Sequence, residues 1–209
     1  MDHAGIVLAG GRSARMGRDK SALPWGGTTL LGRVCAVLRC ALHGPVVVVR
    51  AAGQDLPALP DGVEVHEDAM PDLGPVQGLA TGLLAVRDRA DVAYVAATDL
   101  PFLHESVVLR TLAVLSARPD VEVVAPVVDG HPQLLAAAYR TRVADAVSAA
   151  LLGGERRLGA VVSALSVDYL PAADLLADEA VAAADPDLRS FTNLNQPEEY
   201  VRARDARTG

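Results

Sequence analysis

Leu8-Ala9-Gly10-Gly11-Arg12-Ser13-Ala14-Arg15-Met16-Gly17-Arg18-Asp19-Lys20 continues a short apolar run, Ile6-Val7-Leu8, that reads as a buried strand. Gly10 and Gly11 then let the backbone turn sharply and approach a ligand closely. The cations Arg12, Arg15, Arg18 and Lys20 follow, in a chain whose formal net charge is -7. Backbone N–H groups in such a turn form an anion-binding concavity, and Lys and Arg add charge. The stretch therefore reads as a phosphate-holding loop after a first strand. It is not a P-loop, because no Gly-Lys-Ser/Thr follows at the required spacing. Gly10, Gly11 and Gly17 do not fit the dinucleotide fingerprint either. A surface loop with solvated arginines is the plainer alternative. The segment from Gly10 to Thr28 is long for a structureless connection, and loops of that length carry function or are disordered.

The composition bounds what this loop serves. A chain of 209 residues with 51% hydrophobic residues is sized for one globular core. Aromatics make up 3%, so stacking platforms for single-stranded nucleic acid are not expected, and the acidic balance argues against a nucleic-acid surface. Cys35 and Cys40 sit five apart in a helical pattern, which fits two buried thiols in a reducing cytosol and neither a disulfide nor a zinc site. The N-terminus lacks a signal-peptide pattern, and no run of about 18 apolar residues exists to cross a membrane. A cytoplasmic protein is expected.

Beyond the loop, strand and helix signals alternate. Thr28 is positioned to cap a helix with apolar residues from Leu30 to Ala41 at spacings of three and four. Val46 to Val49 is a β-branched run suited to a strand buried on both faces, with Arg50 at its end. Val63 to Glu67 alternates as an edge strand does, and Asp68 follows it directly. Gly78 to Val86 reads as helix. Gly78 and Gly82 share a face of that helix, which permits a close approach either by a ligand or by the sheet. Val92 to Ala97 is the next buried strand. It ends in Thr98-Asp99, where α/β sheets bind ligands. Magnesium prefers one or two carboxylates with phosphate oxygens, so Asp99 is the candidate metal ligand. Its competing role is the cap of the following helix. That helix is expected from about His104 to Ala117, then a strand from Val121 to Ala125. Asp129-Gly130 signals a hairpin, with return from Pro132 to Tyr139. His131, in that turn, is either a substrate contact or a solvated side chain. Arg142 to Leu152 reads as helix. Arg156 and Arg157 open the next one, as a second phosphate site or as an ordinary charged start. A last strand is expected at Val167 to Leu170. The alanine-rich segment from Ala180 to Asp187 reads as peripheral. Asn193 and Asn195 flank Leu194 and point to one side of an extended segment, as site residues or as plain turn residues. Pro197 fits the first position of a final helix, with Glu198 and Glu199 favourable to its dipole. The pattern predicts one domain over residues 1–209, with a mostly parallel sheet covered by helices on both faces.

L-A-G-G-R-S-x-R-M-G-x-D-K resembles the signature of MobA-type nucleotidyltransferases, the molybdenum cofactor guanylyltransferases. F-x-N-L-N-x-P-E-E, from Phe191 to Glu199, is similar to their second signature. Looser likenesses lie between: G-P-V-Q-G-L, with Gln77 in place of a small residue; A-T-D-L-P-F; G-H-P-Q-L-L-A-A-A-Y, with Leu134 where a second proline is common; and G-E-R-R. The resemblance implies a three-layer α/β/α fold of the nucleotide-diphospho-sugar transferase type. It implies transfer of GMP from GTP to the terminal phosphate of molybdenum-bound molybdopterin, releasing pyrophosphate. Leu8, Ala9, Gly10, Gly11, Asp68 and Gly78 are then nucleotide-site residues, with Arg50 where the family often has a polar nucleoside contact. Lys20 and Arg15 offset phosphate charge, Asp99 holds magnesium, and Asn193 and Asn195 close the opposite side. Implied partners are the small molecules GTP and molybdopterin and, transiently, other molybdenum cofactor proteins. Three rivals stand beside this reading. Cytidylyltransferases of the same pterin typically have Ala at the position of Gly10. Sugar-phosphate nucleotidyltransferases share the fold and are usually longer. A non-catalytic nucleotide-binding protein would not need both Lys20 and Asp99.

Overall fold

The computed structural model describes residues 3–10, 19–68 and 74–206. In chain order the elements are β1 (His3–Leu8), β2 (Pro24–Trp25), β3 (Thr28–Thr29), α1 (Leu30–Ala41), β4 (Val46–Ala51), β5 (Val63–Asp68), α2 (Pro75–Val86), β6 (Val92–Ala97), α3 (Glu105–Ser116), β7 (Val123–Val128), β8 (His131–Pro132), β9 (Ala136–Arg140), α4 (Ala144–Leu152), α5 (Leu158–Ser163), β10 (Val167–Pro171), α6 (Ala172–Leu176), α7 (Glu179–Ala184) and α8 (Pro197–Asp205). The main sheet runs β10-β7-β9-β6-β1-β4-β5, with β8 paired to β7. β6, β1, β4 and β5 are mutually parallel, and so are β10 and β7. β9 runs antiparallel between β6 and β7.

The β-branched run of β4 explains the layering. Successive side chains of a strand point to opposite faces. Val46 and Val48 join one core with Val34 and Leu38 of α1 and Leu112 and Leu115 of α3. Val47 and Val49 join the other with Val76, Leu79 and Leu83 of α2 and Val147 of α4. Each buried valine contributes roughly 1.5–3 kcal/mol, so these four residues alone commit β4 to lying between two helical layers. The architecture is thus a mostly parallel sheet with helices on both faces, as expected. No helix among the described residues is long and apolar enough to cross a membrane.

Several local expectations are corrected. The stretch before α1 is not structureless up to Thr28: Lys20–Ala22 forms a 3-10 turn, and β2 and β3 form a small antiparallel ribbon. The cap of α1 is Thr29, whose hydroxyl accepts from Gly32 N at 3.1 Å. Asp99 does not cap α3. That helix starts at Glu105, and the His104 side chain accepts from Ser106 N. The hairpin turns at Asp129 and Gly130, with φ of 51° and 76°, but its return is split into β8 and β9. The segment from Ala180 to Asp187 is less peripheral than its composition implies, because the buried Asp185 carboxylate accepts from Arg189 N at 2.7 Å and Ser190 N at 2.9 Å. Of the two thiols, Cys35 is buried and Cys40 exposed. Burial pushes the Cys35 thiol up to about 12.

Gly78 and Gly82 turn out to serve packing. A Cβ on Gly82 would sit 2.4 Å from Ile6 Cγ2, and one on Gly78 would sit 3.3 Å from Leu8 Cδ2. The close approach on that helix face is made by β1.

Candidate active site

Strand register places four chain segments at one end of the sheet. Leu8 of β1 stands opposite Val49 and Ala97, and Ala51 of β4 stands opposite Asp68 of β5. Ala9-Gly10, Arg50-Ala51, Asp68 and Thr98-Asp99 therefore leave the carboxyl ends of adjacent parallel strands. The chain runs from β1 outward to β4 and β5 on one side and returns to β6 on the other. That reversal makes the crevice between β1 and β6 the place where open α/β sheets bind ligands. Thr98 Oγ1 donates to Leu8 O at 3.0 Å and ties the two strand ends together. Gly10 passes close over Ala51: a Cβ there would lie 3.3 Å from Ala51 N.

Three sequence-predicted residues converge across the crevice. Lys20 Nζ lies 3.2 Å from Asp99 Oδ2 and donates to Asn195 Oδ1 at 3.1 Å. The Lys20 and Asp99 side chains are 17% and 18% exposed, so the pair sits in a partly dry crevice where charge interactions strengthen. An ammonium held between two oxygens is what the donor set can offer any cation.

The C-terminal segment is locked over this centre. Leu194 N donates to Asp99 O at 3.0 Å. Glu199 Oε2 accepts from Asn195 N at 2.7 Å and Gln196 N at 2.9 Å, capping α8 and fixing Asn195. Those two amides, Gln196 first, hold the Glu199 carboxyl below its usual range. Tyr200 donates its hydroxyl to Pro24 O at 2.6 Å. Trp25 is 2% exposed and meets Phe102 edge-on at 5.3 Å between centroids. This satellite cluster, with Leu30 and Leu194, staples the end of the chain to the ribbon beside Lys20.

The remaining predicted residues divide. Leu8, Ala9 and Gly10 line the crevice end of β1, and Asp68 closes β5, half-buried. Arg50 is committed elsewhere: its guanidinium donates to Gln54 O at 2.7 Å and to Glu67 Oε2 at 2.9 Å. It organises the turn after β4 and does not reach into the crevice as a free nucleoside contact. Asn193 follows the turn-residue alternative, its side-chain amide donating to Phe191 O at 3.4 Å. His131, Arg156 and Arg157 are exposed, and Arg157 pairs with Glu155 at 3.1 Å. Gly11 and Arg15, with Arg12 and Arg18, lie outside the described residues, as does the turn 69–73. A groove of about 630 Å³ lined by Arg50, Leu56, Leu59, Val63, Val65 and Glu67 opens beside the edge strand, away from Lys20 and Asp99.

Gln54 belongs to no motif and carries no signal in the sequence. Glu199 does more than favour the dipole of α8: its spacing of three from Gln196 is that of a capping box, which the structure forms.

A family model described as MobA-like NTP transferase domain matches residues 5–168. A Mycobacterium tuberculosis H37Rv protein named probable molybdenum cofactor guanylyltransferase is 41% identical over 197 residues, covering 92% of this chain and 88% of that one. The crystal structure of molybdopterin-guanine dinucleotide biosynthesis protein A from Archaeoglobus fulgidus is 25% identical, covers 98% of both chains and superposes with a TM-score of 0.74. The manganese complex of Rv0371C from M. tuberculosis H37Rv shares the fold, with a TM-score of 0.65 at 19% identity over 99% of this chain and 100% of that one. With a family match over most of its length and a relative of this closeness, the chain belongs to the MobA-like NTP transferase domain family.

Proposed function

We propose that the chain is a nucleotidyltransferase that moves GMP from GTP to the terminal phosphate of molybdenum-bound molybdopterin. The observation that carries this reading is the convergence of Lys20, Asp99 and Asn195 at the β1–β6 crevice. Relatives named for the guanylyltransfer and for the guanine dinucleotide product support it.

A substrate phosphate oxygen is already a nucleophile. It bonds to the α-phosphorus of GTP as the bond to the β-phosphate oxygen breaks, and pyrophosphate leaves. The protein supplies positioning and charge. Leu8, Ala9 and Gly10 lead from β1 to the nucleotide, with Gly11 assigned to the same role, and Asp68 belongs to the nucleoside side in this reading; Gly78 packs on Leu8 and supports that side from behind. Lys20 and Arg15 offset phosphate charge. Lys20 and Asp99 pair with each other at 3.2 Å; Lys20 would offer its charge to a substrate phosphate, and Asp99 would hold a divalent cation. Asp99 with the adjacent Asn195 carbonyl oxygen is a hard oxygen donor set of the kind magnesium takes alongside phosphates and water. A divalent ion supplies charge stabilisation across the triphosphate. The manganese complex of the M. tuberculosis neighbour is consistent with such an ion. We take residues 1–209 as one nucleotidyltransferase domain, acting in the cytoplasm on small-molecule substrates.

Asp99→Ala and Lys20→Ala test the assignment. Asp99→Ala loses turnover, with a thermal transition close to the parent's. Lys20→Ala raises KM for GTP and lowers kcat/KM by on the order of a hundredfold or more, the scale of one preorganised charge contact. Parent-like pyrophosphate release from Asp99→Ala would remove that residue from the metal role.

A further inference from the structure

Ala9 and Asp19, which flank the phosphate-loop segment, are joined through one side chain that no motif marks. Gln54, half-buried in the turn after β4, donates through Nε2 to Ala9 O at 3.1 Å and to Asp19 Oδ2 at 2.7 Å. Its Oε1 accepts from Ala51 N at 3.0 Å, and its own backbone N–H donates to Ala51 O at 3.1 Å. Both amide hydrogens and the carbonyl are thus engaged. The orientation follows from chemistry, because an oxygen must face the Ala51 N–H and a donor must face two acceptors. Arg50 and Glu67 brace the turn from behind: Arg50 donates to Gln54 O at 2.7 Å, and Glu67 accepts from both Arg50 at 2.9 Å and Gly53 N at 3.4 Å.

Asp19 carries the effect to the site. Its second oxygen accepts from Ser21 N at 2.8 Å and caps the 3-10 turn that begins at Lys20. Gln54, Asp19, Lys20 and Asp99 form one continuous chain from the braced turn to the crevice.

We infer that Gln54 is a positioning residue: it clamps the start and the end of the phosphate loop to the end of β4 and so presets where Lys20 meets the triphosphate. This rests on the function proposed above for its effect on catalysis, and on geometry alone for its effect on the loop ends. It also gives Arg50 a role as the brace of that clamp.

Kinetics and amide hydrogen exchange on full-length variants test it. In nucleotide-free protein, Gln54→Ala raises exchange of the amides at 9–10 and 19–21 by at least about tenfold, the effect expected from losing a hydrogen bond to a charged group. Gln54→Asn, one methylene shorter, shows the same direction and guards against loss of fold in the alanine variant. With GTP, Gln54→Ala raises KM on the order of tenfold and leaves kcat within about threefold. Gln54→Glu sets a carboxylate against Asp19 and Ala9 O and is worse than Gln54→Ala. Asp19→Asn in the Gln54→Glu background restores a donor–acceptor pair and recovers part of the loss, a coupling that general destabilisation does not produce. Parent-like exchange at 9–10 and 19–21 in Gln54→Ala would overturn the inference. So would a KM for GTP within twofold of the parent's, or a Gln54→Glu defect that Asp19→Asn does not relieve. If the parent itself does not turn over GTP, the proposed function fails, and the exchange measurement still decides the clamp.

Discussion

Gly82 shows how a single missing methyl group sets the distance between a helix and the central strand. An alanine there would put its Cβ 2.4 Å from Ile6 Cγ2. Ile6 is fully buried, and its β-branched side chain is stiff at χ1, so it has little room to yield. Overpacking of this kind costs about 1–3 kcal/mol, while glycine to alanine in a helix returns about 1 kcal/mol. Gly82→Ala is expected to be net destabilising, by up to about 2 kcal/mol in urea unfolding. Gly78→Ala faces only the flexible end of Leu8 and is expected near neutral or stabilising. Its KM for GTP then separates packing from nucleoside contact at that position. A Gly82→Ala variant as stable as the parent would show that α2 is free to shift away from β1.

At the scale of elements, α8 is the piece whose attachment matters most to the site. Glu199 caps it by accepting from Asn195 N and Gln196 N, and the same contact fixes the asparagine that meets Lys20. Because those amides favour the ionised form, the folded Glu199 pKa lies below its ordinary 4.5. A carboxyl depressed in the folded state contributes above its unfolded pKa and loses that contribution as pH falls through the folded value. The cap should persist at pH 4.5 and release only at lower pH. NMR titration of the Asn195 and Gln196 amides is expected to give a common midpoint below 4.5; a midpoint at or above it would contradict the cap. Elements of this kind differ in how readable they are. Val46 to Val49 and Val92 to Ala97 declare themselves as buried strands through continuous β-branched and small apolar residues, and Asp129-Gly130 declares its turn through backbone chemistry. β2 and β3 are two residues each and have no period to detect. Of the site, Lys20, Asp99 and Asn195 were legible because phosphate, metal and turn chemistry each demand specific residue types. Arg50 was not, since its hydrogen-bonding partners depend on a turn geometry that spacing does not encode. Gln54 was invisible for the same reason: its partners Ala9 and Asp19 lie 45 and 35 positions away in the chain.

The whole molecule brings segments from both ends of the chain to one crevice. The loop after β1 arrives with Lys20, β6 arrives with Asp99, and the C-terminal segment returns across the sheet to place Asn195 against Lys20. The family model ends at residue 168, yet the segment beyond it supplies Asn195 and the aromatic staple at Tyr200. A net charge of -7 makes the run of cations from Arg12 to Lys20 a local exception in the sequence, in keeping with attraction of a triphosphate. The central claim is guanylyl transfer, and the most direct test is pyrophosphate release with each of ATP, GTP, CTP and UTP in the presence of molybdenum-bound molybdopterin and magnesium. The account predicts release with GTP that exceeds the other three and depends on both the pterin and the metal ion. Preference for CTP, or no release with any of the four, would contradict it.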